Sequence, residues 1–241
     1  MSQQTKPSDM KCLGLIGGTS WHSTIEYYRL INEAVNGYFG DNTNPPLVIA
    51  NLNQSEVHRL QVADQWSGIS DMLTDAANRL RAAGAEAVMF CANTPHKCFD
   101  DVQSQIELPV LHIGDATAKA INRQSLDCVG LIGTQFSMSE TFITDRYRQH
   151  GIETIVPEQA SVIVELHRII QQELTYGKIV PSSRSYVMDT IGAMRSRGAQ
   201  GIVLGCTEFP LMLGPGDLEI PVFDTTSIHA QCATEFVLGL E

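Results

Sequence analysis

The chain has 241 residues, 43% hydrophobic and 18% charged, with 27 acidic against 16 basic side chains and a formal net charge of −11. That balance argues against a nucleic acid or an anionic membrane as partner, since both demand lysine and arginine patches, and no apolar run approaches the roughly 20 residues of a membrane span. The six cysteines, at 12, 91, 98, 128, 206 and 232, form no CxxC pair, which is the pattern of a reduced, cytoplasmic chain and neither a disulfide framework nor a zinc site.

In chain order, Met1 to Lys11 is polar and is expected to be a frayed leader. Leu13 to Ile16 reads as a buried strand, and Gly17-Gly18-Thr19-Ser20 as a turn into a helix that starts near Ser20 or Ser23. Ser23 with Glu26 has capping-box spacing, and Tyr27, Leu30, Ile31 and Ala34 give the helical stripe. The backbone amides of that turn could hold a carboxylate at the helix start; the three spaced glycines of a dinucleotide fingerprint are missing. Asn42 to Pro46 is a loop before strand Leu47 to Ala50, and Trp66 to Ala83 an amphipathic helix closed by Gly84. A strand ending at Phe90 follows, then a helix from Lys97 to Gln105, strand Val110 to Ile113 and helix Asp115 to Gln124. Cys128 to Ile132 opens a second copy of the pattern. Ser139 to His150, Val162 to Tyr176 and Pro181 to Arg197 read as helices, Ile202 to Leu204 and Val222-Phe223 as strands, and Thr226 to Leu240 as a final helix.

The second copy repeats the first. Gly84 to His96 aligns with Gly198 to Pro210, Leu13 to Gly18 with Val129 to Thr134, and Leu108 to Leu111 with Ile220 to Phe223. Three matched segments in one order indicate an internal duplication of an α/β unit. Strands that alternate with helices build mainly parallel sheets whose ligands collect at the strands' carboxyl ends. In the second copy that end carries Gly205-Cys206-Thr207-Glu208; in the first it carries Cys91-Ala92-Asn93-Thr94. A free cysteine can equally be a small buried hydrophobe, so the placement matters more than the residue type.

Gly205-Cys206-Thr207-Glu208 together with Asn93-Thr94 resembles the cofactor-independent aspartate/glutamate racemase superfamily, and Gly17 to Trp21, Ile25 to Asn32 and Phe223 to His229 resemble its amino-acid racemase branch. The resemblance runs nearly end to end. It implies two pseudo-symmetric α/β domains, each a mainly parallel sheet flanked by helices, with the active site in the cleft between them and a homodimer as the assembly. It also implies that the last strand and helix return to the first domain, giving residues 1–113 with 222–241 and residues 114–221. The implied partner is a small amino acid, with no cofactor and no metal. Cys206 would be a catalytic acid/base, and its thiolate is expected to be stabilised at a helix start. Thr19, Ser20, Asn93, Thr94 and Thr207 would bind the substrate carboxylate, and Glu208 would orient Cys206 or its ligand, or merely cap the next segment.

This sequence departs from the family pattern at one position. Its members place a cysteine from each domain at these strand ends, whereas here the position aligned with Cys206 is Ala92. Cys91 is the neighbour, and alternation along a strand turns it to the other face. Three readings stay open: an amino-acid racemase, a single-cysteine enzyme of the decarboxylase type that serves one face of a carbanion, and a non-catalytic amino-acid-binding module. Gln61 and Thr175 stand near the places where aspartate racemases of this family carry an Arg and a Lys for the distal carboxylate, so broader specificity is expected. His96 is a possible site residue beside the Asn93 turn; His112 and His229 read as satisfied structural groups.

Overall fold

A computed structural model describes residues 5–214 and 216–240. The chain forms two four-stranded, wholly parallel sheets flanked by helices. The first contains β1 (Leu13–Gly17), β2 (Leu47–Asn51), β3 (Ala87–Phe90) and β4 (Val110–Leu111) in the order β2-β1-β3-β4. The second contains β5 (Cys128–Gly133), β6 (Glu153–Ile155), β7 (Gly201–Gly205) and β8 (Val222–Asp224) in the order β6-β5-β7-β8. The two orders are the same, and the sequence repeats fall on the matching pairs β1 with β5, β3 with β7 and β4 with β8.

The central strands β1, β3, β5 and β7 are buried on both faces, which is why they read as continuous apolar runs. Helices α1 (Trp21–Phe39), α2 (Gln54–Val62), α3 (Trp66–Ala82) and α4 (Phe99–Gln105) accompany the first sheet. Val88, Phe90 and Ile16 pack against Leu60, Ile69, Leu73 and Leu80 on one face. Leu13, Leu15, Ala87, Met89 and Cys91 pack against Tyr27 and Ile31 on the other. The second sheet is joined by α5 (Ile113–Arg123), α6 (Gln135–Ser139), α7 (Thr144–Gln149), α8 (Ala160–Gln172), α9 (Pro181–Ser196) and α10 (Phe209–Met212). There Ile202 and Leu204 bury against Leu166, Ile169, Val187 and Ile191, while Val203 and Phe223 bury against Ile113, Ile121 and Tyr147.

The chain divides into two compact units, one running to His112 and resuming at His229, the other spanning Ile113–Ile228. The returning segment is therefore shorter than expected. β8 hydrogen-bonds to β7 and completes the second sheet; only the later part of α11 (Thr225–Leu238), through Ala230, Ala233, Phe236 and Val237, joins the core around Leu13 and Tyr27. The polar leader is also tied down from Thr5 onward: Thr5 Oγ1 donates to the Leu238 carbonyl at 2.6 Å and the Lys11 amide to the Val237 carbonyl at 2.9 Å. Met1 to Gln4 of that leader lie outside the described residues.

Two elements escape the sequence pattern. α2 buries only Val57 and Leu60, too few apolar positions to mark a stripe, and β6 is a three-residue edge strand. The helix expected over Ser139 to His150 is found only as α7, since α6 ends at Ser139 and residues 140–143 are non-helical.

Candidate active site

In the second unit, β7 ends on Gly205 and the chain turns through Cys206, Thr207 and Glu208 into α10. A side chain on Gly205 would meet Leu131 Cδ1 at 3.0 Å and the Ile132 carbonyl oxygen at 3.1 Å, so glycine lets β7 close tightly against β5 before the turn. The neighbouring strand is held there as well, because Thr225 Oγ1 donates to the Leu204 carbonyl at 2.9 Å.

Cys206 is partly exposed and Glu208 buried. The Cys206 thiol donates to Glu208 Oε2 at 2.8 Å, and Thr207 Oγ1 donates to the same oxygen at 2.9 Å. Burial, then the negative charge of Glu208 and its hydrogen bond with the thiol, hold the Cys206 pKa well above the ordinary thiol value. This corrects the expectation of a stabilised thiolate. α10 has four residues, so its few aligned peptides oppose a full carboxylate charge two residues from the sulfur. Burial and the Glu208 charge both favour the thiol form of Cys206.

In the first unit, β3 runs into Cys91, Ala92 and Asn93, followed by a 3-10 turn over Thr94–Cys98. Cys91 is fully buried in the core with Leu13, Tyr27 and Met89, and burial pushes its pKa far up. Ala92 and Thr94 are partly exposed. Backbone oxygens of the segment are gripped from beneath: Ser23 Oγ donates to the Cys91 carbonyl at 2.5 Å, and His96 Nδ1 donates to the carbonyls of Ala92 at 3.0 Å and Asn93 at 3.2 Å. Ser23 is thereby taken from the capping role read in the sequence. Ser20 is the N-cap of α1 and accepts from the Ser23 amide at 3.4 Å.

The β1–α1 turn lies beside this segment in the sheet, since β1 pairs with β3. Gly18 has φ +83, and a side chain there would come within 2.1 Å of the Leu52 carbonyl oxygen. Its amide donates to Thr24 Oγ1 at 3.0 Å, so that donor is spent inside the turn. Thr19 Oγ1, by contrast, is buried with no hydrogen-bond partner among the described residues.

Gln61 lies in the last turn of α2, while that helix begins at the carboxyl end of β2. A depression of about 470 Å³ opens at the beginning of α2, lined by Gly18, Trp21, Asn51, Leu52, Asn53 and Gln54; Gln61 does not line it. Asn51, Asn53 and Gln54 carried no sequence signal beyond their position in and after an apolar strand, whereas Trp21, from α1, belongs to a stretch that carried the resemblance. Thr175 sits in a 3-10 turn and donates to the Ile170 carbonyl at 2.8 Å. Among the described residues no three His, Cys, Asp or Glu side chains converge as a metal-binding set.

A family model described as Asp/Glu/Hydantoin racemase matches residues 16–233. The chain is similar to the crystal structure of a candidate Asp/Glu racemase from Yersinia pestis, at 41% identity and a TM-score of 0.90, covering 95% of this chain and 100% of that one. It is similar to PH1733, an aspartate racemase homologue from Pyrococcus horikoshii OT3, at 37% identity and a TM-score of 0.84, covering 95% and 99%. It also matches the glutamate racemase of Deinococcus radiodurans at 26% identity over 148 residues, 61% of this chain and 50% of that protein, so it spans about half the length of that relative.

Proposed function

The chain belongs to the Asp/Glu/Hydantoin racemase family, and from that premise we propose that it is an amino-acid racemase in which Cys206 moves the α-proton without a cofactor. The observation that carries this reading is the Cys206–Glu208 hydrogen bond at 2.8 Å. The α-proton of an amino acid is a very weak acid, so it needs a strong base. A thiol whose pKa is held high becomes one when ionised. Glu208 takes the thiol hydrogen: the S–H bond breaks, an O–H bond forms on the carboxylate, and the thiolate is left. The thiolate then removes the α-proton and becomes a thiol again, and the charge left on carbon spreads onto the substrate carboxylate, where hydrogen-bond donors stabilise it. Returning that proton from Cys206 to carbon restores the thiolate, which takes its hydrogen back from Glu208; inversion requires a proton delivered to the opposite face of the carbon.

Thr207, Asn93, Thr94 and Thr19 are the proposed donors to the substrate carboxylate, where charge develops during the reaction. The unspent hydroxyl of Thr19 supports its place in that set. The substrate is an α-amino acid, aspartate and glutamate among the class tested. Among the described residues no lysine or arginine lines the depression beside Gly18 and Trp21, which favours side chains beyond the acidic pair. A homodimer in the cytoplasm completes the reading.

One observation favours a second reading. Ala92 cannot carry a proton and Cys91 is buried in the core, so a single thiol serving one face of a carbanion, as in a decarboxylase-type enzyme, fits the same residues. Solvent deuterium exchange at the α-carbon, followed by NMR and chiral chromatography, separates the two. Exchange with inversion supports the racemase, and exchange with retention supports the one-base enzyme. Tight amino-acid binding without exchange overturns both in favour of a binding module.

A further inference from the structure

Between β2 and α2 the exposure of the chain alternates: Asn51 and Asn53 are exposed, while Leu52 between them is buried. The turn after β1 lies directly on that buried residue because Gly18 has no side chain to hold it off. A Cβ there would stand 2.1 Å from the Leu52 oxygen and 2.4 Å from its nitrogen. These two backbone segments in contact are part of the wall of the 470 Å³ depression, and Trp21, Asn51, Asn53 and Gln54 complete it. The volume falls within the range of small-molecule sites, roughly 300–1,000 Å³. Trp21 is 52% exposed, with its ring centroid 3.6 Å from that of His22. A half-exposed indole beside a concavity offers a ligand a flat apolar face and one N–H donor.

The lining holds three carboxamides and no ionisable side chain. Asn53 is partly spent: its Oδ1 accepts from the Ser55 amide at 3.1 Å and so caps α2 from within the chain. The carboxamides of Asn51 and Gln54 make no hydrogen bond with any described residue. Each supplies an acceptor oxygen and two N–H donors. A second carboxamide matches such a group by donating to its oxygen while accepting from its N–H, two bonds in one plane. A carboxylate only accepts, so it leaves those oxygens unmatched, and the lining has no cation to offset its desolvation. An ammonium or guanidinium only donates and meets the converse mismatch.

We propose that Asn51, Gln54 and Trp21 are specificity-determining residues that take a side-chain carboxamide, so that asparagine and glutamine are preferred over aspartate and glutamate. The proposal rests on the racemase reading and deepens it by naming the substrate class. The depression holds the substrate's distal group, at the carboxyl ends of β1 and β2, in the sheet whose β3 runs into Ala92. Trp21 lies against the face of the planar carboxamide, and Asn51 and Gln54 pair with its edge.

Two readouts on the wild-type chain test this. Isothermal titration calorimetry measures binding of L-asparagine, L-glutamine, L-aspartate and L-glutamate, and deuterium incorporation from heavy water gives kcat/KM for the same amino acids. At least one amide should exceed its own acid by about tenfold in both, the worth of one net hydrogen bond. Asn51→Leu and Gln54→Leu, each checked by circular dichroism, should narrow that ratio to within about threefold as the bond is lost. Gln54→Arg should reverse it by supplying a cation, and it keeps the test decisive if a Leu variant fails to fold. Acids that bind and exchange as well as the amides overturn the proposal, as do folded Leu variants that both keep the full ratio, or a chain that binds none of these amino acids. Preference for the acids in both readouts removes this assignment and leaves the racemase reading standing. Selective binding of the amides with no α-proton exchange removes the racemase reading and leaves the preference of the depression in place.

Discussion

The thiol of Cys206 and the carboxylate of Glu208, two residues apart, share a hydrogen bond of 2.8 Å at the carboxyl end of β7. Burial first, and the charge and hydrogen bond of Glu208 second, favour the protonated sulfur, and the bond gives its hydrogen a defined acceptor. Glu208 is the one charged neighbour that raises the Cys206 pKa alongside burial, which exposes the arrangement to direct measurement.

Replacing Glu208 with Gln removes a negative charge and an acceptor that both favour the thiol form. The Cys206 pKa is then expected to fall toward the ordinary value, leaving burial as the remaining cause of elevation. Iodoacetamide alkylation of Cys206, followed by mass spectrometry from pH 6 to 11, should reach its half-maximal rate at lower pH in the variant. An unmoved profile would mean that Glu208 does not govern the thiol.

Cys206→Ser keeps the shape of the turn and a hydroxyl that can still donate to Glu208. It should lower α-proton exchange at least about 100-fold, the lower bound for removing an acid/base group, with little change in the thermal midpoint. Deuterium incorporation into L-glutamate and L-aspartate is the readout, and retained exchange would dismiss the role assigned to the sulfur.

Ala92→Cys supplies a thiol at the position that the internal repeat aligns with Cys206. Inversion should rise relative to exchange without inversion, read as the ratio of product enantiomer to deuterated starting enantiomer. An unchanged ratio would mean that the second proton is handled by some other group.

Acid should weaken the first unit through its histidines. Burial holds His229 to about 4 when folded, against the ordinary 6.5. The unfolded chain therefore binds the extra proton first as pH falls. Stability is fully present above pH 6.5, declines as pH falls from 6.5 to about 4, and levels off below that as far as His229 is concerned. The loss is about 3 kcal/mol from this residue, and His96, also depressed, adds in the same direction. Urea midpoints between pH 4 and 8 measure it; a flat profile would contradict the buried neutral cluster.

Gly18→Ala forces a left-handed φ of +83 on a residue with a side chain and drives Cβ to within 2.1 Å of the Leu52 carbonyl oxygen. Backbone atoms cannot step aside as a flexible side chain would, so the cost should exceed about 2 kcal/mol. Chemical denaturation of the variant tests this, with a shift below about 0.5 kcal/mol counting against the observed turn.

What the sequence determined by itself is the part that rests on local patterning. The apolar runs Leu13 to Ile16 and Ile202 to Leu204 read as doubly covered strands because every residue in them is buried, and the internal repeat placed Cys206 and Ala92 at equivalent strand ends. Tertiary structure alone decided the rest. β8 stays with β7 instead of returning with the final helix, since sheet pairing is a contact between residues far apart in the chain. Ser23 donates to Cys91 instead of capping its helix, and His96, His112 and His229 become one cluster. The thiol pKa reversed direction because burial and the exact reach of Glu208 are properties of packed atoms. Periodicity records which face of an element is covered; only the folded chain determines which distant group covers it.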